Sequence, residues 1–266
     1  MMDEFFVKPF AQNITQDKRT LEMFRYLTNN SYVRVVNYHN TRGCFAQRFE
    51  AEIKYFAKHF SPVTVSDMDE FFATRKWPKE KPGLIPAIFE GWRSNYDVIS
   101  KILCKYGFTG WFYVPGYFMD VPVEKQAEYI PNHRLRLTSA PDYPDGRYAM
   151  NWDEMQDLAK RHVICCHTGS HFEITKDTSD EDMQREIVDA KIYMEQKIGK
   201  PVDVFCWLGG EEYSYNTRAH KFLKQAGYKY VVSNLKLEKI DIEKILKENK
   251  IPKNKLKAAI ISHAHL

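Results

Sequence analysis

The sequence predicts an α/β fold, a single (β/α) barrel of seven strands, and three observations predict it. Short apolar runs rich in Val, Ile, Phe and Tyr alternate with amphipathic helical patterns, which is the signature of βα units and a mainly parallel sheet. The 266 residues suit one barrel of roughly 250 residues and exceed most single sandwiches. No internal repeat and no linker interrupts the chain, so residues 1–266 read as one domain.

Tyr32 to Tyr38 (YVRVVNY) reads as the first strand. Phe45, Phe49, Ile53, Phe56 and Phe60 then recur at spacings of three and four, which makes a helical stripe. Ser66 is the expected cap of a second helix, Asp67 to Thr74. The segment WPKEKPG breaks the chain before a strand from Leu84 to Phe89, and a helix from Asn95 to Tyr106 leads to the strand Gly110 to Val114. Pro115 to Met150 is rich in Pro, Gly and Tyr and reads as a long loop with one short helix near Glu124 to Tyr129. A helix from Trp152 to Lys160 precedes the strand His162 to Cys166. The longest helix runs from Ser179 to Ile198, capped by Ser179 and ended by Gly199. Strand Val202 to Trp207 enters a Gly-Gly turn, helix Thr217 to Ala226 ends at Gly227, and Tyr228 to Ser233 is a strand. A Lys/Glu helix is then expected to lead to the last strand, within Ala258 to Ser262.

Hydrophobic residues make up 44% of the chain and charged residues 28%, the balance of a water-soluble globular protein. A chain of this length buries about three quarters of its unfolded surface and holds a core without disulfides. The odd set Cys44, Cys104, Cys165, Cys166 and Cys206 fits free thiols in a reducing compartment, with a single disulfide left open. The formal charge is +4, and in the Lys-rich tail from Lys236 to Lys257 the signs mix, which describes a solvated helix face and argues against a nucleic-acid partner. No stretch of about 18 apolar residues argues for a membrane span, and the first residues carry acids where a signal peptide would be basic and apolar. The expected location is therefore cytoplasmic.

The clearest chemical motif is His167-Thr-Gly-Ser-His171, placed directly after a strand. Two imidazoles four residues apart reach one divalent ion from a tight turn, but a lone pair of this spacing is more often structural, and a third ligand is needed. The surrounding blocks carry more. NWDEMQDLAKRHVICCHTGSH resembles the polysaccharide deacetylase pattern of a Trp-led helix, a strand, and then His-Thr/Ser-x-x-His. VDVFCWLGGEEYSYNTRAHKFLKQAGYKYVVS resembles that family's strand, Gly-containing loop, helix and "GYKY" strand, while RVVNYHN and LIPAIFEGWRSNYDVI resemble its "YH" strand and Thr-Phe-Asp-Asp-Gly-Tyr motif. The order and spacing agree over about residues 32 to 233.

The resemblance implies a distorted (β/α) barrel with its site at the strand C-termini. It also implies hydrolysis of carbon–nitrogen, non-peptide bonds in an N-acetylated sugar or glycan, assisted by a divalent metal, commonly zinc, held by one Asp and two His. The two histidines match His167 and His171, and the metal-ligating Asp falls on Glu90, a ligand or base one methylene longer. The second Asp, the family's general base, falls on Phe89, which takes no proton. An alternative alignment matches Phe89 to the motif Phe and deletes one Asp, which also leaves a single carboxylate. Cys206-Trp207-Leu208 stands where the family has Arg-x-Pro. The late histidine, the candidate general acid, is His263, with His265 as the competing choice. Trp92, Trp207, Gly209 and Gly210 are the expected substrate-binding residues, and the resemblance gives His39 a role in shaping the site floor. Two alternatives stand beside an active deacetylase. One is a catalytically impaired pseudoenzyme that keeps the barrel and its metal or carbohydrate binding, and the other is a deacylase of a small amide.

Overall fold

The computed structural model describes residues 33–74, 76–136, 143–208, 218–233, 237–240 and 261–263. Apolar, β-branched runs fall on β1 (Val33–Tyr38), the two-residue β2 (Ser61–Pro62), β3 (Gly83–Phe89), β4 (Trp111–Val114), β5 (Val163–Cys166), β6 (Val204–Cys206), β7 (Tyr230–Val232), β8 (Leu237–Lys239) and β9 (Ile261–His263). Seven of these pair in parallel in the order β9-β1-β3-β4-β5-β6-β7, the seven the sequence predicts. Helices lie between them: α1 (Ala46–His59), α2 (Val65–Thr74), α3 (Asn95–Ser100 continuing as Lys101–Lys105), α4 (Val123–Asn132), α5 (Trp152–Leu158), α6 (Asp180–Met183, Gln184–Asp189 and Ala190–Ile198) and α7 (Ala219–Ala226). The result is a (β/α) barrel, as the alternation implied, in the distorted form that the resemblance implied.

Because helices cover the outside and side chains fill the inside, strand residues are buried on both faces, and β3 is buried along its whole length. The period of two sorts them. Leu84 and Ile88 join an outer core with Phe49 and Ile53 of α1 and Leu103 of α3. Ile85, Ala87 and Phe89 point inward with Trp111, Tyr113, Cys165 and Cys206. Val63 and Met68 plug the end of the barrel where the strands begin. The Trp111 indole donates to the Val63 carbonyl at 2.8 Å, and the Tyr230 hydroxyl to Asp69 at 2.7 Å. The opposite end, where the strands finish, is left for the loops.

Local rules account for the helix ends. The α2 cap is Thr64 and not Ser66: its hydroxyl accepts from the Asp67 amide at 3.1 Å while Asp67 accepts from the Thr64 amide at 2.7 Å. This reciprocal box outcompetes Ser66, which would leave that first turn unsatisfied. Asn151 and Glu154 form the same box on α5. Ser179 caps α6, and Gly199 ends it at φ 69, as expected. Both α3 and α6 contain a π-helical turn, which residue spacing does not reveal. The Lys/Glu segment does not start as a helix: Leu237–Lys239 adds an antiparallel strand to the edge of β7, because the open edge offers backbone partners. The remainder of that segment lies outside the described residues. All five cysteines are free. Among the described residues no helix is long and apolar enough to cross a membrane.

Candidate active site

Two turns at the strand ends build the site. The first follows β3, where Glu90 and Gly91 are both left-handed at φ 77 and φ 74. A Cβ at Gly91 would meet Met119 at 2.7 Å, so glycine is required there. Glu90 carries the strain of a side chain in this conformation, about 1 to 2 kcal/mol, and three bonds hold it. Its amide donates to the Tyr113 carbonyl at 2.9 Å, Trp92 Nε1 donates to its Oε2 at 2.7 Å, and His39 Nδ1 lies 3.2 Å from its Oε1. Asn95 Nδ2 ties the preceding carbonyl, that of Phe89, at 2.9 Å.

The second turn follows β5 and holds the histidine pair. Thr168 and His171 are left-handed at φ 60 and φ 65. A conformation this costly for a β-branched residue persists only where the surroundings over-determine it. Here Thr168 Oγ1 accepts from the Phe172 amide at 2.7 Å and the Tyr117 amide donates to the Gly169 carbonyl at 2.9 Å. Gly169 is needed because any Cβ would run into the Tyr117 ring. The buried Glu186 carboxylate accepts from the Ser170 amide at 2.8 Å and from its hydroxyl at 2.9 Å. Sequence reading missed Glu186, because its partner lies 16 residues away across a helix.

The imidazoles of His167 and His171 lie 5.0 Å apart between centroids. His167 Nδ1 bonds the Cys206 carbonyl at 3.1 Å and His171 Nδ1 the His133 carbonyl at 2.6 Å. A carbonyl only accepts, so each Nδ1 carries the proton and each Nε2 keeps its lone pair. Burial pushes both pKa values down; the neighbouring His171 adds to this for His167, while the Glu90 charge opposes it for His171. Phe89 sits between these groups. Its ring stacks on His39 at 4.8 Å and on Tyr113 at 4.9 Å, and meets His167 edge-on at 5.2 Å.

The fit to a metal follows from these bonds. Both imidazoles are set as nitrogen donors, but the Glu90 carboxylate is committed to His39 and Trp92. Among the described residues no group of three or more His, Cys, Asp or Glu side chains is placed to hold a metal ion. The residues as arranged therefore do not fit a three-ligand centre.

A model of the polysaccharide deacetylase family matches residues 71–231. The chain belongs to that family. Among curated proteins, none matches the chain in sequence. Deacetylase PplD of Streptococcus pyogenes, solved with acetate, superposes at TM-score 0.60 and 13% identity over 79% of this chain and 86% of that one. The deacetylase domain of BpsB from Bordetella bronchiseptica gives 0.56 at 12% identity over 76% and 88%. A de-N-acetylase from Aggregatibacter actinomycetemcomitans gives 0.55 at 16% identity over 79% and 89%. At such identities the likeness is one of fold.

Within this polysaccharide deacetylase barrel, the other expected site residues fare differently. Trp92 and Trp207 are 2% and 4% exposed, so neither offers a ring face for stacking; they pack against Phe118 and Phe205 and shape the wall from behind. His263 falls in β9, its backbone in register with Asn37 at the strand C-termini, and its side chain lies outside the described residues. Gly209, Gly210 and His265 lie outside them entirely. His39 does reach the site, through Glu90 and Phe89.

Another buried histidine contributes to the acid response of the deacetylase fold. Burial, with Arg161 nearby, pushes His162 down to about 4. It stays neutral in the fold and protonates in the unfolded chain near pH ~6.5. The unfolded state thus binds more protons below that pH, and stability falls as pH drops toward the folded value, by about 3 kcal/mol from this group at the limit. Unfolding titrations between these pH values are expected to show this loss, and His162→Gln should remove about one proton from the slope. An unchanged slope would count against it.

Proposed function

We propose that this polysaccharide deacetylase barrel binds an amino-sugar glycan at its strand C-termini and carries an impaired hydrolytic centre. The observation behind this reading is the pair at positions 89 and 90. An apolar ring stands where the family places its proton acceptor, and the adjoining carboxylate is clamped by Trp92 and His39. A pocket of 490 Å³ opens beside His171, with Phe172 and several polar side chains around it, a size in the range of small-ligand sites. Family membership supports a carbohydrate ligand.

A second reading, metal-dependent deacetylation, has its own support in the tautomers of His167 and His171, whose free Nε2 lone pairs and carbonyl-bound Nδ1 atoms suit imidazole ligands. A divalent metal there, zinc by the family's habit, would polarise an amide carbonyl, but Glu90 would first have to leave His39 and Trp92. The two readings separate in one experiment. Chito-oligosaccharide binding is followed by calorimetry, and acetate release is assayed with and without zinc. Binding with little or no acetate is expected. Zinc binding at about 100 times its Kd would add about 2.7 kcal/mol of stability, so a large zinc-induced rise in Tm together with robust turnover would overturn the impaired-centre reading.

A further inference from the structure

We infer that the pocket beside His171 selects the free-amine form of an amino sugar, its protonated 2-amino group, over the N-acetylated form. This rests on the glycan-binding reading above and names the chemical form that the site takes. The pocket lies between the end of α4 and the segment after the histidine turn, and is lined by His133, Arg134, His171, Glu173, Asp177 and Asp182 among others. Nearly every charged or ring-nitrogen group there accepts hydrogen bonds. His171 is 5% exposed, its Nδ1 proton goes to the His133 carbonyl, and its Nε2 has no partner among the described residues. His133 is set the same way, with Nδ1 bonded to the Tyr129 carbonyl at 2.9 Å, which leaves its Nε2 as an acceptor.

The charges point in the same direction. Arg134 is the one lysine or arginine among the described residues of the lining, and it is already paired with Glu173. Asp182 is paired outside the lining with Arg185 at 2.7 Å and with the Ser179 hydroxyl at 2.7 Å. Asp177 is exposed, and its carboxylate has no ion pair among the described residues. An ammonium brings three donors and a positive charge to such a surface. An acetamide brings one N–H donor, a carbonyl acceptor and a methyl group, and so meets fewer of the carboxylate and ring-nitrogen acceptors and gains nothing from their charge. An anionic sugar would be repelled.

The test uses the whole protein and three β-1,4-linked tetrasaccharides, of glucosamine, N-acetylglucosamine and glucose, titrated calorimetrically at low and at high salt. The glucosamine form is expected to bind tightest, and its advantage should shrink in high salt, where a shorter Debye length screens the ammonium from the pocket carboxylates. Asp177→Asn should weaken that form by about two- to fivefold, the range for an exposed charge pair, and leave the glucose form unchanged. Asp177→Lys should weaken it further. Equal or tighter binding of the N-acetylated form by the wild type overturns the inference, as does an advantage that survives both substitutions. Failure of all three to bind overturns the glycan reading itself, and this inference with it.

Discussion

Replacing Phe89 with Asp is expected to cost about 3 to 5 kcal/mol of stability, the range for losing a packed aromatic ring. The ring is 7% exposed, stacked between His39 and Tyr113 and set against His167, and a carboxylate fills none of those contacts. The same change returns a proton acceptor to the site. In the double variant Phe89→Asp, Glu90→Asp, two carboxylates stand at the positions that the proposed reading assigns to the base and the ligand, and the shorter side chain at 90 no longer reaches both His39 and Trp92. Acetate release from chito-oligosaccharides with zinc present is expected to rise by about 10²- to 10⁴-fold over wild type, the usual worth of a general base. Urea unfolding checks that the variant is folded, and acetate release measures the gain. A folded double variant with no gain would show that the centre lacks more than its base. A robust wild-type rate that drops on adding the Asp would show that another residue already serves.

Glu186→Ala is expected to cost about 2 to 4 kcal/mol, because both Ser170 hydrogen bonds and the Arg185 Nε bond to its buried carboxylate disappear and the Ser170 amide is left without its partner. The local effect is larger than the global one. Thr168 and His171 hold left-handed conformations that the turn maintains through its anchors, so loosening Ser170 should let the His171 ring leave the His133 carbonyl. Amide exchange in residues 167–172 should speed up well beyond that in β3, whose hydrogen bonds are independent of this turn. Glu186→Gln keeps an acceptor and should restore much of the protection. Uniform exchange across β3 and the turn in Glu186→Ala would show that Glu186 supports the fold and not the turn.

Much of the architecture was legible because its causes are local. Alternating apolar runs and helical stripes located the seven parallel strands, and the capping of α6 and its end at Gly199 needed only neighbouring residues. The cap of α2 was misplaced by two residues, because Ser66 and Thr64 both satisfy the composition rule and only the bond to Asp67 chooses between them. The edge strand β8 was read as helix because its Lys and Glu residues carry no pattern that reports an open sheet edge.

For the site, the sequence by itself determined which residues arrive at the strand C-termini. His167 and His171 follow β5, Phe89 ends β3 and Glu90 follows it, and that residue 89 is a phenylalanine is a matter of residue identity that no folding can change. Only the tertiary structure decided what these residues touch. Glu90 bonds His39 and Trp92, and Trp92 and Trp207 are buried, because hydrogen bonds and packing across 39 to 92 and 207 depend on how the strands are laid side by side. Side-chain direction at a left-handed turn is set by its anchors from other elements, and those anchors are far away in the chain.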